Sequence, residues 1–356
     1  MQRVALFSMI FVLLLLAARH ARAGLASSGR RMYHWERSSS TSANLQQCLS
    51  HEREVTTQLR REIAQSIDPG ASKGRITCAV PCFADHKSKN RWRVYDGRSH
   101  SLTLQFTQEG PAHYPRLHNS VAQDADGLAT AVPDEADVPV PYFSLEVHRI
   151  QRENVSLGSV IKGATFVARN CNSKNDRETA VKALQSHIRV DSISHCLHNA
   201  HWPVEDKRDK DTALRKYAMT LAFENQNSWS HVTEKVWQAL AAGVLPVYFG
   251  APDIAHYVPE GSVVIANEFH SWNMLGQYLK QVLGNETLFA EYHKWRYQPL
   301  SGAFLDMHAY TLTSDDCRAC KLLYSRVHKL TWNHRLQDIE WPCCSCSQPN
   351  ITSATT

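Results

Sequence analysis

Apolar and polar positions follow two rhythms along this chain, and both are clearest between Tyr217 and Pro252. Tyr217, Met219, Leu221 and Phe223 recur every second residue, which is the period of a strand. Phe223-Glu224-Asn225 then leaves the sheet through a short polar loop. From Val232 the spacing lengthens. Val232, Val236 and Leu240, with Trp237 beside them, give one apolar helical face, with Ser230 in the N-cap position and Gly243 as the C-terminal stop. Val244 to Phe249 reads as a buried strand, weakened by Pro246 unless that residue lies near an edge or bulge. Upstream, Ala164–Ala168 reads as a strand, and Asn175 with Glu178 three residues later predicts a capped helix carrying Val181, Leu184 and Ile188. In the first half, Leu102, Leu104 and Phe106 alternate as a strand that runs into Thr-Gln-Glu-Gly-Pro. Strands alternating with helices across 164–250 predict a parallel sheet in a doubly wound α/β fold. Ligand is expected outside the carboxyl ends of its strands.

The chemistry begins at the predicted helix start, where Thr233, Glu234 and Lys235 occupy the first turn. Backbone N–H groups are unpaired there and the dipole is positive, so a diphosphate suits the place. A lysine opposes that dipole. Lys235 is therefore explained by a bound anion, or else it is a solvated surface lysine. Arg177 sits in the capping region of the upstream helix, where an arginine is otherwise a surface residue. Glu109 emerges from a strand end onto a Gly-Pro loop, placed to face a cleft, the alternative being an idle loop glutamate.

Phe-Glu-Asn at 223–225, about seven residues, and then Val-Thr-Glu-Lys-Val-Trp-Gln-Ala-Leu-Ala-Ala-Gly-Val-Leu-Pro-Val-Tyr-Phe-Gly-Ala-Pro resembles the donor-site signature of the α-1,3-fucosyltransferases, which use GDP-fucose. The resemblance covers about residue 76 to the C-terminus with gaps. It implies donor binding by Arg177, Glu224, Asn225, Thr233, Glu234 and Lys235, with Glu234 at the ribose and Lys235 and Arg177 at the diphosphate. It implies Glu109 as the base that takes the proton of the acceptor hydroxyl, in a context extended by residues 137–144. The reaction implied is an inverting fucosyl transfer, with cations stabilising the departing GDP. No metal is obligatory in that scheme, and manganese stimulation stays open. Asp209-Lys210-Asp211 belongs to a charge run read as a solvated linker. The chain departs from the family pattern at Ser230-His231, usually Asp-Tyr, and at Ala218, usually basic.

The resemblance also implies a GT-B architecture, with two Rossmann-like doubly wound domains facing a cleft. The acceptor half is expected at about 76–155 and the GDP-fucose half at about 156–300, with a Cys-rich segment, 301–356, packing back on the first. Cys78-Ala-Val-Pro-Cys82, the stretch from Cys317 to Leu330 and Trp-Pro-Cys-Cys-Ser-Cys at 341–346 are similar to the plant-type core enzymes. That subgroup fucosylates the innermost GlcNAc of N-glycans on glycoproteins. A Lewis-type enzyme acting on outer lactosamine GlcNAc, and a non-catalytic lumenal protein binding nucleotide sugar or glycan, are the alternatives.

At 356 residues and 43% hydrophobic, the chain is large enough for two cores. Its net charge of +5 is dispersed, which excludes a nucleic-acid footprint. Residues 1–23 read as a targeting element, with Val4 to Ala18 apolar apart from Ser8. Fifteen residues fall short of the roughly 20 of an ordinary span, and Ala21-Arg22-Ala23 has the form of a cleavage site. The resemblance implies a type II anchor in the Golgi membrane, with the catalytic part lumenal. A cleaved signal peptide and secretion are the alternative. Residues 24–75, including the Ser-rich run 38–42, read as stem or linker. Ten cysteines in an oxidising lumen point to disulfides, and zinc ligation by Cys317, Cys320, Cys343, Cys344 and Cys346 is the second reading. Sequons at Asn154, Asn285 and Asn350 are consistent with secretion.

Overall fold

The computed structural model describes residues 78–339 apart from 79–81, 89, 97, 98, 120–124, 146, 147, 204–208 and 334–336, all within one compact unit. The targeting element 1–23, the stem 24–75, Cys48, Cys343, Cys344, Cys346 and the Asn350 sequon lie outside the described residues.

The periodic region of the sequence forms a five-stranded, wholly parallel sheet. Its strands are β6 (Ile161–Phe166), β7 (Val190–Ser192), β8 (Tyr217–Phe223), β9 (Leu245–Phe249) and β10 (Val264–Ile265), in the order β10-β9-β8-β6-β7. All seven residues of β8 are buried, so the alternation read from 217–223 marks large and small side chains rather than inside and outside. A central parallel strand is covered on both faces and has no solvent side to show. Pro246 pairs with Thr220, while β10 reaches only Val247 and Tyr248, so the proline stands outside that second pairing. The free edge of β7 is capped by a side chain: Asn199 accepts from the Ser192 amide at 2.7 Å and donates to the Val190 carbonyl at 2.9 Å.

The first half differs from the doubly wound expectation. Strands β1 (Phe83–Ser88), β2 (Arg91–Tyr95) and β3 (Ser101–Thr107) pair antiparallel, and only β4 (Gly127–Thr130) and β5 (Val138–Pro139) join in parallel. Helix α1 (Pro115–Asn119) lies between β3 and β4. A β-meander of short connections needs no crossover helices, hence the mixed sheet. Trp92, Val94, Leu102, Leu104 and Val138 of this sheet pack against Ala319, Leu322 and Leu323 of the late helix Asp315–His328.

Helix α2 (Arg177–Leu184) follows β6, α3 (Lys210–Leu214) precedes β8, and α4 (Glu234–Ala241) joins β8 to β9. Gly243 ends α4 at φ +76°, and a Cβ there would meet the Glu153 carbonyl oxygen at 2.3 Å, so the stop read from sequence is also a close approach. Phe143, just beyond β5, stacks on Trp237 of α4 with ring centroids 4.2 Å apart, and so ties the first half to the second. Six cysteines form disulfides, Cys78–Cys317, Cys82–Cys320 and Cys171–Cys196. The zinc reading therefore fails for Cys317 and Cys320. Among the described residues no helix is long and apolar enough to cross a membrane.

Candidate functional site

Strand β8 ends at Phe223, and the chain leaves the carboxyl edge of the parallel sheet with Glu224 fully buried. A carboxylate in that position needs donors on every side. Thr233 supplies two: its amide donates to Glu224 Oε1 at 2.9 Å, and its hydroxyl lies 2.9 and 2.8 Å from the two oxygens. Lys235 Nζ donates to Glu224 Oε2 at 3.0 Å, to Thr233 Oγ1 at 2.7 Å and to Glu234 Oε1 at 3.4 Å. Burial works against the Lys235 charge, but Glu224 and Glu234 outweigh it and hold its pKa above the ordinary value. Burial likewise opposes the Glu234 charge, and Lys235 and Lys210 outweigh it, holding that carboxyl below its ordinary range.

Two caps differ from the sequence reading. Thr233, not Ser230, is the N-cap of α4, so Glu234 and Lys235 are its first two residues. Ser230 instead adopts a left-handed backbone, φ 58°, and is buried. Asp176 replaces Asn175 as the N-cap of α2, and Asn175 donates to the Glu224 carbonyl at 3.1 Å and to Asn227 Oδ1 at 2.7 Å. Arg177 is only 3% exposed. Its guanidinium donates to the carbonyls of Phe223 at 2.8 Å and Asn170 at 2.9 Å, and it lies beside Glu178. It thus pins the end of β8 to the loop after β6, and it adds positive potential to the Lys235 site.

Glu109 stands on the loop between β3 and α1 with its side chain exposed. Its main chain is held from three directions. The Glu109 amide donates to Thr107 Oγ1 at 3.2 Å, and His118 Nε2 lies 2.9 Å from the Glu109 carbonyl, with His118 Nδ1 facing Glu135 at 2.5 Å. Gly110 meets the parallel half: a Cβ there would fall 1.3 Å from Gln226 Nε2 and 3.0 Å from His231 Cδ2. Only glycine permits that approach. His113 Nε2 adds a contact of 3.4 Å to the Asn225 carbonyl, and Tyr142 donates to the Gln108 carbonyl at 3.1 Å. Burial, then Glu234, Glu109 and Glu224, push the Tyr142 hydroxyl pKa well above its ordinary value. One phenol therefore senses the carboxylates of both halves.

A family profile described as glycosyltransferase family 10 (fucosyltransferase), C-terminal part, matches residues 160–341, more than half of the chain. The chain belongs to glycosyltransferase family 10. It is 28% identical over 268 residues to a fucosyltransferase-like protein of Arabidopsis thaliana, covering 73% of this chain and 51% of that relative. It is 34% identical over 150 residues to the GDP-fucose protein O-fucosyltransferase 3 of Danio rerio, covering 40% of this chain and 33% of that relative. Against the crystal structure of an α1,3-fucosyltransferase with GDP-fucose it shows 21% identity and a TM-score of 0.36, over 49% of this chain and 54% of that one. The chain spans about half the length of the Arabidopsis relative and about a third of the Danio one.

In this family-10 chain the structure gathers Glu224, Thr233, Glu234 and Lys235 into one network, with Asn225 and Arg177 along its edge and the loop of Glu109 docked on Gln226 and His231. Sequence reading missed Lys210, taken for part of a solvated linker. Lys210 is half-buried at the start of α3, and its charge acts on Glu234. The available signal was the one used for Lys235, a lysine in the first turn of a helix. Tyr142, His118 and Gln226 were also missed, because their neighbours are remote in sequence. A surface cleft of about 550 Å³ lined by Lys182, Arg189, Asp191 and His198 includes none of the candidate residues. Among the described residues no group of three or more His, Cys, Asp or Glu is placed to hold a metal ion.

Proposed function

We propose that this chain moves fucose from GDP-fucose to the 3-hydroxyl of GlcNAc with inversion, on the innermost GlcNAc of N-glycans. The observation that carries the reading is the Glu224–Thr233–Lys235 network at the start of α4, with the Glu109 loop held against the adjoining segment through Gly110. In this scheme the two halves face one cleft in a GT-B arrangement, with the acceptor side at 76–155, the donor side at 156–300 and the 301–356 segment bracing the first. Lys235 and the helix N-terminus meet the diphosphate directly, and Arg177 reinforces them from behind. Glu234 holds the ribose, while Glu224, Thr233 and Asn225 fix the walls of the donor site. As the bond to fucose lengthens, negative charge moves to GDP and these cations stabilise it, while Glu109 takes the proton of the attacking hydroxyl in one displacement. No metal is required in this scheme. Residues 1–23 anchor the protein in the Golgi membrane with the described part in the lumen.

The relatives named for protein O-fucosylation support a second reading, in which the acceptor is a protein hydroxyl. A Lewis-type acceptor is the third. Purified protein incubated with labelled GDP-fucose and, separately, a GlcNAc-terminated core glycopeptide, a lactosamine and a folded protein acceptor distinguishes them. Mass spectrometry is expected to place fucose on O3 of the core GlcNAc. Product on the protein hydroxyl alone would transfer the assignment to the second reading, and donor binding without product on any acceptor would overturn transfer altogether.

A further inference from the structure

The segment 226–231 folds back on Gly110 at both of its ends, through Gln226 and His231, each 1% exposed. Between them Trp229 is 64% exposed, and it is the only exposed tryptophan among the described residues. What holds it there is Ser230, whose left-handed backbone is costly for a residue with a Cβ. That conformation is locked from two sides. The Ser230 amide donates to Asp253 at 2.9 Å, and its hydroxyl lies 2.8 Å from Asp134 of the first half and 3.1 Å from Asp253. On the facing loop Tyr114 is 50% exposed, and the amides of His113 and Tyr114 return to the Gly110 carbonyl at 3.1 and 3.3 Å. Trp229 thus lies in a segment whose Gln226 and His231 pack on Gly110, and Tyr114 on a turn bonded to the Gly110 carbonyl, one from each half.

We propose that Trp229, with Tyr114 across the Glu109–Gly110 peptide, forms the platform for a pyranose acceptor. This deepens the reading above and rests on it. A sugar ring has an apolar C–H face and a rim of hydroxyls, so it needs a flat aromatic surface beside a carboxylate that takes one proton. A peptide laid across the same loops would need free main-chain groups. Here the amides of His113, Tyr114, Ser230 and His231 are already bonded within the protein, which leaves side-chain faces for recognition. Two further polar groups of this segment are buried and unpaired, the Gln226 side-chain amide, which lies against Gly110, and His231 Nδ1.

The test uses the full chain and the variants Trp229→Ala and Trp229→Phe. With a GlcNAc-terminated glycan, Trp229→Ala is expected to raise acceptor KM about tenfold, or roughly 1.4 kcal/mol. Trp229→Phe keeps a ring and should recover most of that loss, and the Kd for GDP-fucose should move less than twofold in both. Fluorescence of the GDP-loaded protein titrated with a GlcNAc disaccharide, compared with Trp229→Phe, reads binding without turnover. Saturable quenching lost in the phenylalanine variant, with no turnover in wild type, would keep the platform and remove the transferase reading. Turnover with acceptor KM unchanged in Trp229→Ala would overturn the platform and leave that reading standing.

Discussion

In the parallel half the side chains of Glu224, Thr233 and Lys235 satisfy one another, whereas in the mixed half Glu109 has an exposed side chain and a fastened main chain. Glu224, buried at the carboxyl edge of β8, has Thr233 and Lys235 on its oxygens, so geometry and stability there are one property. Glu109 reaches solvent, and its position is set by Thr107, His118 and the Gly110 contact acting on backbone. Proposed binding and proposed proton transfer are therefore built differently. One is a preorganised part of the core, and the other is a carboxylate presented by a loop whose register depends on the partner half.

This contrast is sharpest under substitution. Glu109→Gln should lower turnover by about 10²- to 10⁴-fold, the size of a general-base contribution, with donor Kd and the thermal melt unchanged. A shifted melt would show that the exposed side chain has a structural role. Glu224→Ala should do the reverse. It leaves the Lys235 ammonium without its buried partner and should cost about 3–5 kcal/mol of stability, read in a urea titration. A cost near zero would mean that water replaces the carboxylate without penalty.

The disulfides offer a cut at the other half. Cys78–Cys317 and Cys82–Cys320 fasten the same two segments, with separations of 239 and 238 residues. Removing either leaves the long loop closed by the other, so each single pair should cost about 2 kcal/mol or less, and removing both about 5 kcal/mol or more. Equal costs for single and double removal would break this account.

Acid should sharpen the comparison least. Burial lowers the pKa of His308 to about 4 and, with Arg296 adding to it, that of His293 to about 3. His308 is wedged among Phe143, Trp237 and Phe304, with Nε2 2.8 Å from the Tyr257 carbonyl. The unfolded chain binds these protons near pH 6.5 and the folded chain does not, so stability is fully present above that pH and falls as pH drops toward 4. The slope is about 1.4 kcal/mol per histidine per pH unit. Thermal melts between pH 7 and 4.5 check it, and His308→Gln should flatten the slope.

The same division governs what could be read without coordinates. Elements of the parallel half were legible because each strand, cap and helix obeys local rules: β8, α4 and the stop at Gly243 stand where periodicity and glycine placed them. The errors there lie at element ends: Ser230 and Asn175 have the chemistry of caps but other bonds to make, β6 runs 161–166 rather than 164–168, and Ile188 falls beyond the end of α2 at Leu184. In the mixed half the strand at 101–107 was visible, yet its antiparallel neighbours were not, since pairing direction follows from contacts rather than period. Tyr142, His118 and Gln226 escaped for a related reason. Each gains its part in the site from a residue brought near only by the fold. Cysteine arithmetic indicated disulfides but not their partners, because connectivity is a property of the folded chain.

The staple that joins Cys78 and Cys82 to Cys317 and Cys320 carries a consequence for biosynthesis. Cys171 and Cys196 are 25 residues apart and can join as soon as both emerge, whereas Cys78 and Cys82 must wait for Cys317 and Cys320. At roughly 5–20 residues per second that wait lasts on the order of tens of seconds. For that interval the nascent first sheet lacks the helix that covers it, and its two thiols are open to the wrong neighbour. Maturation of this protein is thus gated by the arrival of the helix Asp315–His328, and thiol oxidation late in synthesis is what its assembly requires.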